Sequence, residues 1–263
     1  MRTWLCTTLI LFTASARALA ASDDLTVVSR NTLNGKDSGN STSYLSGDHV
    51  RMAHGDGNEM IVDIKSGVMT TLDNKKSTYY TTTQQDLQQV SAKMQAMMND
   101  PEMKKGMEMM QKMGGAMAKS YEVKDTGVRR TIAGINCEDW TISMEGISTM
   151  HECVTTALKY PVHAFDAYKT FSQSLQASMG AMGPMAKSGA ELAEKLKKMQ
   201  GFPIATSFSM ALMGSKSSTG SEVTEVRRGP IPASVWEIPA GYKQIENPML
   251  KAFDKHARGR PSG

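Results

Sequence analysis

The sequence has 263 residues and a formal net charge of +4 at pH 7, and 21% of its residues are charged. This length supports one hydrophobic core and permits one or two domains. Because acidic and basic residues nearly balance, the sequence lacks the basic footprint of a nucleic-acid-binding protein. We therefore expect no nucleic-acid partner.

The first twenty residues predict an export signal. Arg2 supplies a positive charge, residues 4–12 form a short apolar run, and Ala18-Leu19-Ala20 matches a small-x-small cleavage site. The run is shorter than the roughly 20 residues that a transmembrane helix needs. We expect a signal peptide at 1–20, a periplasmic or secreted protein after cleavage, and no transmembrane segment.

The next part of the chain predicts an antiparallel meander. Short runs rich in β-branched and aromatic residues alternate with turn residues such as Asn34-Gly35 and Ser66-Gly67. The predicted strands are Leu25–Leu33, Thr42–Ala53, Glu59–Lys65, Val68–Leu72 and Ser77–Thr82.

Helical periodicity replaces the strand pattern at about 84–118. Thr83 and Asp86 form a predicted capping box, and Asp100-Pro101 predicts the start of a second helix with proline at its first position. Methionines recur at helical spacing along one face of that second helix: Met103, Met107, Met110 and Met117.

The chain then returns to strands, which contain the two cysteines left after signal-peptide removal. We predict strands at Thr131–Ser143 and Ser148–Leu158 with a turn centred on Glu145, which places Cys137 directly opposite Cys153. An even number of cysteines in an exported chain favours a disulfide, so we expect a Cys137–Cys153 bond.

The same register opposes Glu138 to Glu152 and Asp139 to His151. A buried acid pair at Glu138 and Glu152 is one alternative interpretation of this hairpin. A metal site at His151, Glu152 and Cys153 is another, but neighbouring residues of a strand point to opposite faces. The disulfide remains the favoured prediction.

A second helical insertion is predicted at about 164–200. It contains Phe171 and Leu175 on an apolar face and a further amphipathic run at Ala190–Met199. The remaining predicted segments are strands at Phe202–Met213 and Glu222–Arg228 and a flexible tail at 251–263.

Four segments, taken in order, resemble one family of exported bacterial proteins. They are residues 51–80, the strand IAGINCEDW at 132–140, Gly201-Phe202-Pro203 and the closing IPAGY at 238–242. The chain resembles the domain-of-unknown-function 4412 family, which in turn resembles the periplasmic lipoprotein carriers LolA and LolB.

The resemblance implies an α+β, mainly β fold: an incomplete antiparallel β-barrel, LolA/LolB-like, covered by inserted helices. It implies a single half-barrel domain at 21–250 with the insertions at 84–118 and 164–200, and it implies no catalytic residues. Carriers of this type hold their helical lid with a strand arginine, and Arg51 is the candidate for that role. A surface arginine on a strand is the alternative interpretation of Arg51.

The motifs of common hydrolases, metalloproteases and nucleotide-binding enzymes do not occur in the sequence. We accordingly expect neither enzymatic activity nor a cofactor.

The sequence has 22 methionines, and they allow several interpretations. A stripe at helical spacing is by default the packed face of a helix. Flexible methionines also suit a lid over an apolar ligand such as a lipid or acyl chain, soft thioethers suit Cu(I), and an apolar face suits an envelope protein partner. We favour the carrier, with these ligand-binding residues: Met103, Met107, Met110, Met117, Phe171 and Leu175.

Overall fold

The computed structural model describes residues 23–98, 100–101, 105, 121–144, 146–159, 191–192, 194–196, 198–212 and 215–251. An α-helix, α1, spans Gln84–Met98, and a short 3-10 helix spans Ala233–Trp236. The strands are β1 Leu25–Leu33, β2 Lys36–Leu45, β3 His49–His54, β4 Asn58–Asp63, β5 Met69–Asp73, β6 Thr78–Thr82, β7 Tyr121–Ile132, β8 Ile135–Met144, β9 Ser148–Thr155, β10 Phe202–Leu212, β11 Ser215–Arg228 and β12 Lys243–Gln244.

All twelve strands belong to one sheet, in the order β12-β6-β5-β4-β3-β2-β1-β11-β10-β9-β8-β7. Every neighbouring pair is antiparallel except β12 with β6, which is parallel. The sheet is not closed, since β7 and β12 are its two edges. The prediction of a mainly β protein with an open antiparallel sheet is confirmed.

Two hairpins turn through two-residue loops in the left-handed region. Asn34 and Gly35 have φ of 51° and 75°, and Ala133 and Gly134 have φ of 50° and 76°. Positive φ at both loop positions matches the twist of the flanking strands. The first turn was predicted, but the expectation of one strand over Thr131–Ser143 is wrong, because Ala133-Gly134 separates β7 from β8.

The expectation of one strand over Thr42–Ala53 is also wrong. Ser46 folds the chain between β2 and β3, since its backbone N–H donates to the His49 carbonyl at 2.9 Å and its hydroxyl accepts from the His49 N–H at 2.9 Å. Serine competes in this way with the strand ladder and favours a turn. β2 also starts earlier than predicted, at Lys36, because the Asn34-Gly35 turn pairs Lys36 with Leu33.

The buried core lies toward one end of the sheet, which we call the base; the opposite end is the rim. β1 begins at the base with Leu25, and β2 returns there with Leu45, which is paired to Leu25. The β7, β9 and β10 ends at Ile132, Cys153 and Phe202 reach the same end. The core residues are Leu25, Val27, Leu45, Ile132, Cys137, Cys153, Leu158, Phe202, Ile204 and Val223.

The half of the sheet that ends with β7 is strongly curved. β7 and β11 are four strands apart, which in a flat sheet would separate them by about 19 Å. Instead, Cα atoms of the two strands come within 8 Å of each other. The sheet therefore has a strongly curved half, containing β11, β10, β9, β8 and β7.

Helix α1 begins where the sequence predicted. The Thr83 hydroxyl accepts from the Asp86 N–H at 3.1 Å, and the Asp86 carboxylate accepts from the Thr83 N–H at 2.7 Å. This reciprocal pair confirms the capping box. No helix in the described ranges is long and apolar enough to cross a membrane.

Gly201 determines how β10 enters the sheet beside β9. Its φ is +133°, and a Cβ at this position would lie 2.5 Å from the Thr155 carbonyl oxygen and 2.8 Å from Val154 Cγ1. Gly229 has nearly the same φ, +139°, but nothing lies within 4 Å of its Cβ position. The two glycines therefore share a backbone constraint and differ in steric contact.

We predict that Gly201→Ala lowers the free energy of unfolding by about 2 kcal/mol more than Gly229→Ala, because only the first substitution adds a clash to the backbone strain. Urea unfolding of both variants checks this. Equal losses would show that the contact with Thr155 does not constrain β10.

Candidate functional site

The two cysteines form the predicted disulfide in the core at the base. The Cys137 and Cys153 Cα atoms are 5.4 Å apart, within the range that a disulfide requires. The predicted register is wrong by two residues, since Asp139 rather than Cys137 lies opposite Cys153. The bond therefore joins diagonal neighbours.

The turn explains the difference in register. Met144 pairs with Ser148, so the loop has three residues and centres on Gly146 rather than Glu145. Gly146 has φ of 72°, and three-residue hairpin loops place glycine in this left-handed conformation. Moving the centre by one residue moves every opposed pair by two.

The corrected register removes both alternative interpretations of the hairpin. Glu138 lies opposite Val154 and pairs with Arg129 at 2.7 Å, so it forms no acid pair with Glu152. Cys153 is used by the disulfide, and His151 is exposed on the opposite face from Glu152. Among the described residues, no group of three His, Cys, Asp or Glu side chains is arranged to hold a metal.

Every methionine of the described strands lies on one face of the sheet. Opposed residues share a face, and alternate residues of a strand return to it. Met52 opposes both Met60 and Ser43, and Ser43 opposes Val27. Two residues along β1, Ser29 opposes Val223, which carries the same face into β11 and β10. The six methionines are Met52, Met60, Met69, Met144, Met150 and Met210.

We call this face the inner face and its opposite the outer face. Toward the rim of the curved half, the inner-face residues Ile142 and Phe208 are buried and half-buried, whereas the outer-face residues Lys124, His151 and Ser207 are exposed. In this part of the curved half the methionine-bearing face is therefore the more enclosed one, whereas in the other half the outer-face residues Ile61 and Leu72 are buried.

The Glu152 carboxyl lies on the inner face beside these apolar residues, and Glu138 and Asp125 lie on the same face of β8 and β7. Glu152 pairs with Trp140 of β8 on one side and Thr206 of β10 on the other. It is half-buried, and burial raises the pKa of the Glu152 carboxyl. Within the part of the chain that the structure describes, neither a cation nor a hydrogen-bond donor contacts this carboxylate.

A cleft of about 630 Å³ opens at the rim, where the β8–β9 hairpin meets β10 and the β1–β2 turn. Its lining includes four inner-face residues, Met144, Ser148, Met210 and Ser217. Along β9, Ser148 is four residues from Glu152, a distance of about 13 Å at strand spacing. The cleft thus lies at the rim end of the strip that contains Glu152.

The ligand-binding residues predicted from the helices lie outside the described residues: Met103, Met107, Met110, Met117, Phe171 and Leu175. The strand methionines and Glu152 were missed as site residues, although a signal for them exists. Met52, Met60 and Met69 lie in three successive strands, and alternation of side chains places all three on the same face. This is visible in the sequence only once the strand boundaries and turns are correct.

Arg51 fulfils neither of the roles considered for it. It lies on the outer face, opposite Ile61, and its side chain is only 12% exposed. Its guanidinium pairs with the Glu59 carboxylate, with Nε at 2.7 Å, and also donates to the Val235 and Glu237 carbonyl oxygens. Arg51 is therefore a partly buried arginine that holds the C-terminal segment against the outer face.

Further contacts fix the same segment, residues 232–247, which we call the C-terminal strap. Trp236 stacks on His49 with ring centroids 5.2 Å apart. The Tyr242 hydroxyl donates to the Asn74 side-chain oxygen at 2.8 Å, and the Asn74 amide donates to Glu59 at 2.6 Å. Glu59 thus connects both ends of this network.

We predict that Arg51→Met lowers the free energy of unfolding by about 3 kcal/mol, because it leaves Glu59 charged, poorly solvated and without its cation. Lys65→Met is the matched control, since Lys65 pairs with Asp48 at 3.2 Å but is 76% exposed; its effect should stay below about 1 kcal/mol. Urea unfolding measures both values. Similar losses in the two variants would contradict the structural role of Arg51.

With this geometry established, comparison with known proteins identifies the family. A protein-family model described as "Domain of unknown function (DUF4412)" matches residues 28–242. The chain belongs to the DUF4412 family. The match includes all of the sheet except the first residues of β1 and the short strand β12. No curated protein matches the sequence significantly.

Solved structures show only distant likeness to this DUF4412 chain. PNGF-II is 12% identical with a TM-score of 0.38, covering 89% of this chain and 33% of PNGF-II. An uncharacterised conserved protein from Thermus thermophilus is 8% identical with a TM-score of 0.42, covering 85% and 90%. MucB is 10% identical with a TM-score of 0.37, covering 84% and 58%.

The DUF4412 chain thus spans about a third of PNGF-II and somewhat over half of MucB. No function is transferred from any of these proteins.

Proposed function

We propose that this protein is an exported carrier that binds an apolar ligand, such as a lipid or acyl chain, against the inner face of its sheet. The observation that supports the proposal is the placement of all six described strand methionines on that one face. Methionine is unbranched and polarizable, so a surface rich in it adapts to varied apolar shapes.

The change in burial along the strands supports a binding surface rather than a packed core. The fully buried core is concentrated at the base, where Leu25, Cys153 and Ile204 are at most 1% exposed. Farther up the inner face, Met52, Met60 and Met150 are only half-buried. Half-buried flexible side chains beside a rim cleft are suited to contact a ligand that enters from the rim.

In this proposal the two helical insertions cover the inner face and form a lid. The predicted apolar faces of those helices, with Met107 and Met110 in one and Phe171 in the other, would complete the binding surface. A LolA/LolB-like half-barrel has this arrangement of a curved sheet beneath helices. The lid would be independent of Arg51, which contacts the C-terminal strap on the outer face.

Export is part of the proposal. It is supported by the sequence of the first twenty residues and by the Cys137–Cys153 disulfide, because such bonds persist in oxidising compartments. Protein isolated from a periplasmic extract should accordingly begin at Ala21, which intact mass measures.

The carrier function is tested with 1-decanol, a neutral apolar probe, by native mass spectrometry and titration calorimetry. We predict a decanol complex that weakens at least about tenfold in the double variant Met52→Gln/Met60→Gln, because these two opposed side chains lose apolar contact with the probe. Met52→Leu/Met60→Leu keeps the apolar surface and should bind within about threefold of the native protein.

Met249→Gln is the matched control, since Met249 is exposed and lies outside the sheet; it should leave decanol affinity unchanged. Absence of a decanol complex with the native protein would refute the carrier. If the protein instead binds Cu(I) tightly in competition with a chelator, it is a metal-binding envelope protein rather than a carrier. If neither probe binds and the Gln variant only unfolds more easily, the methionines are core residues and the carrier proposal fails.

A further inference from the structure

The position of Glu152 indicates which class of apolar ligand this surface accepts. Carboxylates are rarely placed among apolar side chains without a partner, because removing the charge from water costs free energy that an opposite charge or hydrogen bonds must offset. Within the described residues no such partner contacts Glu152. A ligand that brings its own positive charge would supply one.

The neighbours of Glu152 suit a cationic group. Trp140 is directly opposite on β8, which places the two Cβ atoms about 5 Å apart. An indole face attracts a cation through its quadrupole, and tryptophan is the best of the aromatic residues at this. On β10 the opposed residue is Thr206, with Phe208 two positions toward the rim.

Among the described residues, no cation lies beside Glu152 by register. Glu138 on β8, two residues from Trp140, pairs with Arg129 at 2.7 Å, and Asp125 on β7 lies opposite Trp140, so both nearby ionisable groups are acidic. The inner-face residues of β10 beside Glu152 are Thr206 and Phe208, neither of which is charged. Burial raises the pKa of the Glu152 carboxyl.

The apolar part of the ligand would extend from this point toward the rim. Met150 lies beside Glu152 on the inner face and is opposed by Ile142 and Phe208. Beyond them, Met144 and Met210 line the rim cleft. The distance of about 13 Å from Ser148 to Glu152 is comparable to the length of an extended decyl chain.

We propose that the ligand is a cationic amphiphile: its ammonium group binds between the Glu152 carboxylate and the Trp140 indole, and its alkyl chain follows the strand methionines toward the rim. This inference rests on the proposed carrier function and adds the head-group class. It assigns recognition of charge to Glu152 and Trp140, and adaptable apolar contact to the methionines.

Three probes with the same ten-carbon chain test the head group: decyltrimethylammonium, 1-decanol and decanoate. The first carries a permanent charge, so pH changes only the protein. Titration calorimetry at neutral pH should show decyltrimethylammonium binding about tenfold more tightly than 1-decanol, and decanoate more weakly than either. In Glu152→Gln the ratio between the first two probes should fall to about one.

Glu222→Gln is the matched control, because it removes the same charge from the outer face, where Glu222 lies opposite Ala205. This variant should retain the tenfold preference. Circular dichroism confirms that both variants are folded.

Equal binding of all three probes by the native protein, or a preference that persists in Glu152→Gln, would overturn the cationic class while decanol binding still supports the carrier. If Glu222→Gln loses the preference to the same extent, the cationic class is overturned as well, because the preference would then reflect general attraction to the protein's negative charge. If the native protein binds none of the probes, the carrier and the head-group assignment fail together.

Discussion

The two-residue period of the strands determines what each side of this sheet can do. Twelve strands pair in one sheet from β12 to β7, with register shifts in four of the pairs. Away from those shifts, opposed residues carry the assignment of faces from one edge to the other. Met52 in one half and Met150 in the other are thereby placed on the same side. The same rule places Arg51 and the disulfide-neighbouring residue Asp139 on the opposite side.

Stability and adaptability are also separated along the strands. The base contains the disulfide and the buried residues Leu25 and Ile204, where close packing fixes how the sheet rolls. The outer face of the other half is fixed by the strap through Arg51 and Trp236. With the sheet held at these two places, the inner face near the rim need not be tightly packed, and flexible side chains are tolerated there.

Much of the fold could be predicted from the sequence, because its signals are local. The strand Leu25–Leu33, the capping box at Thr83 and the disulfide partners follow from alternation, capping chemistry and cysteine number. The errors arise where a turn was not recognised: Ser46 divides one predicted strand, and Gly146 shifts the cysteine hairpin by two positions. The candidate site depends on pairing between distant strands, which no local pattern fixes, so the strand methionines and Glu152 were found only from the registers.

The central claim is that a ligand contacts the methionines of the inner face, and methyl resonances of ¹³C-labelled methionine test it most directly. Single Met→Leu variants assign the signals, and 1-decanol is then titrated into the native protein. The account predicts that Met52, Met60 and Met150 shift together with saturation, while the exposed Met249 does not. It is contradicted if decanol binds and these strand methionines remain unperturbed, because the binding surface would then lie elsewhere.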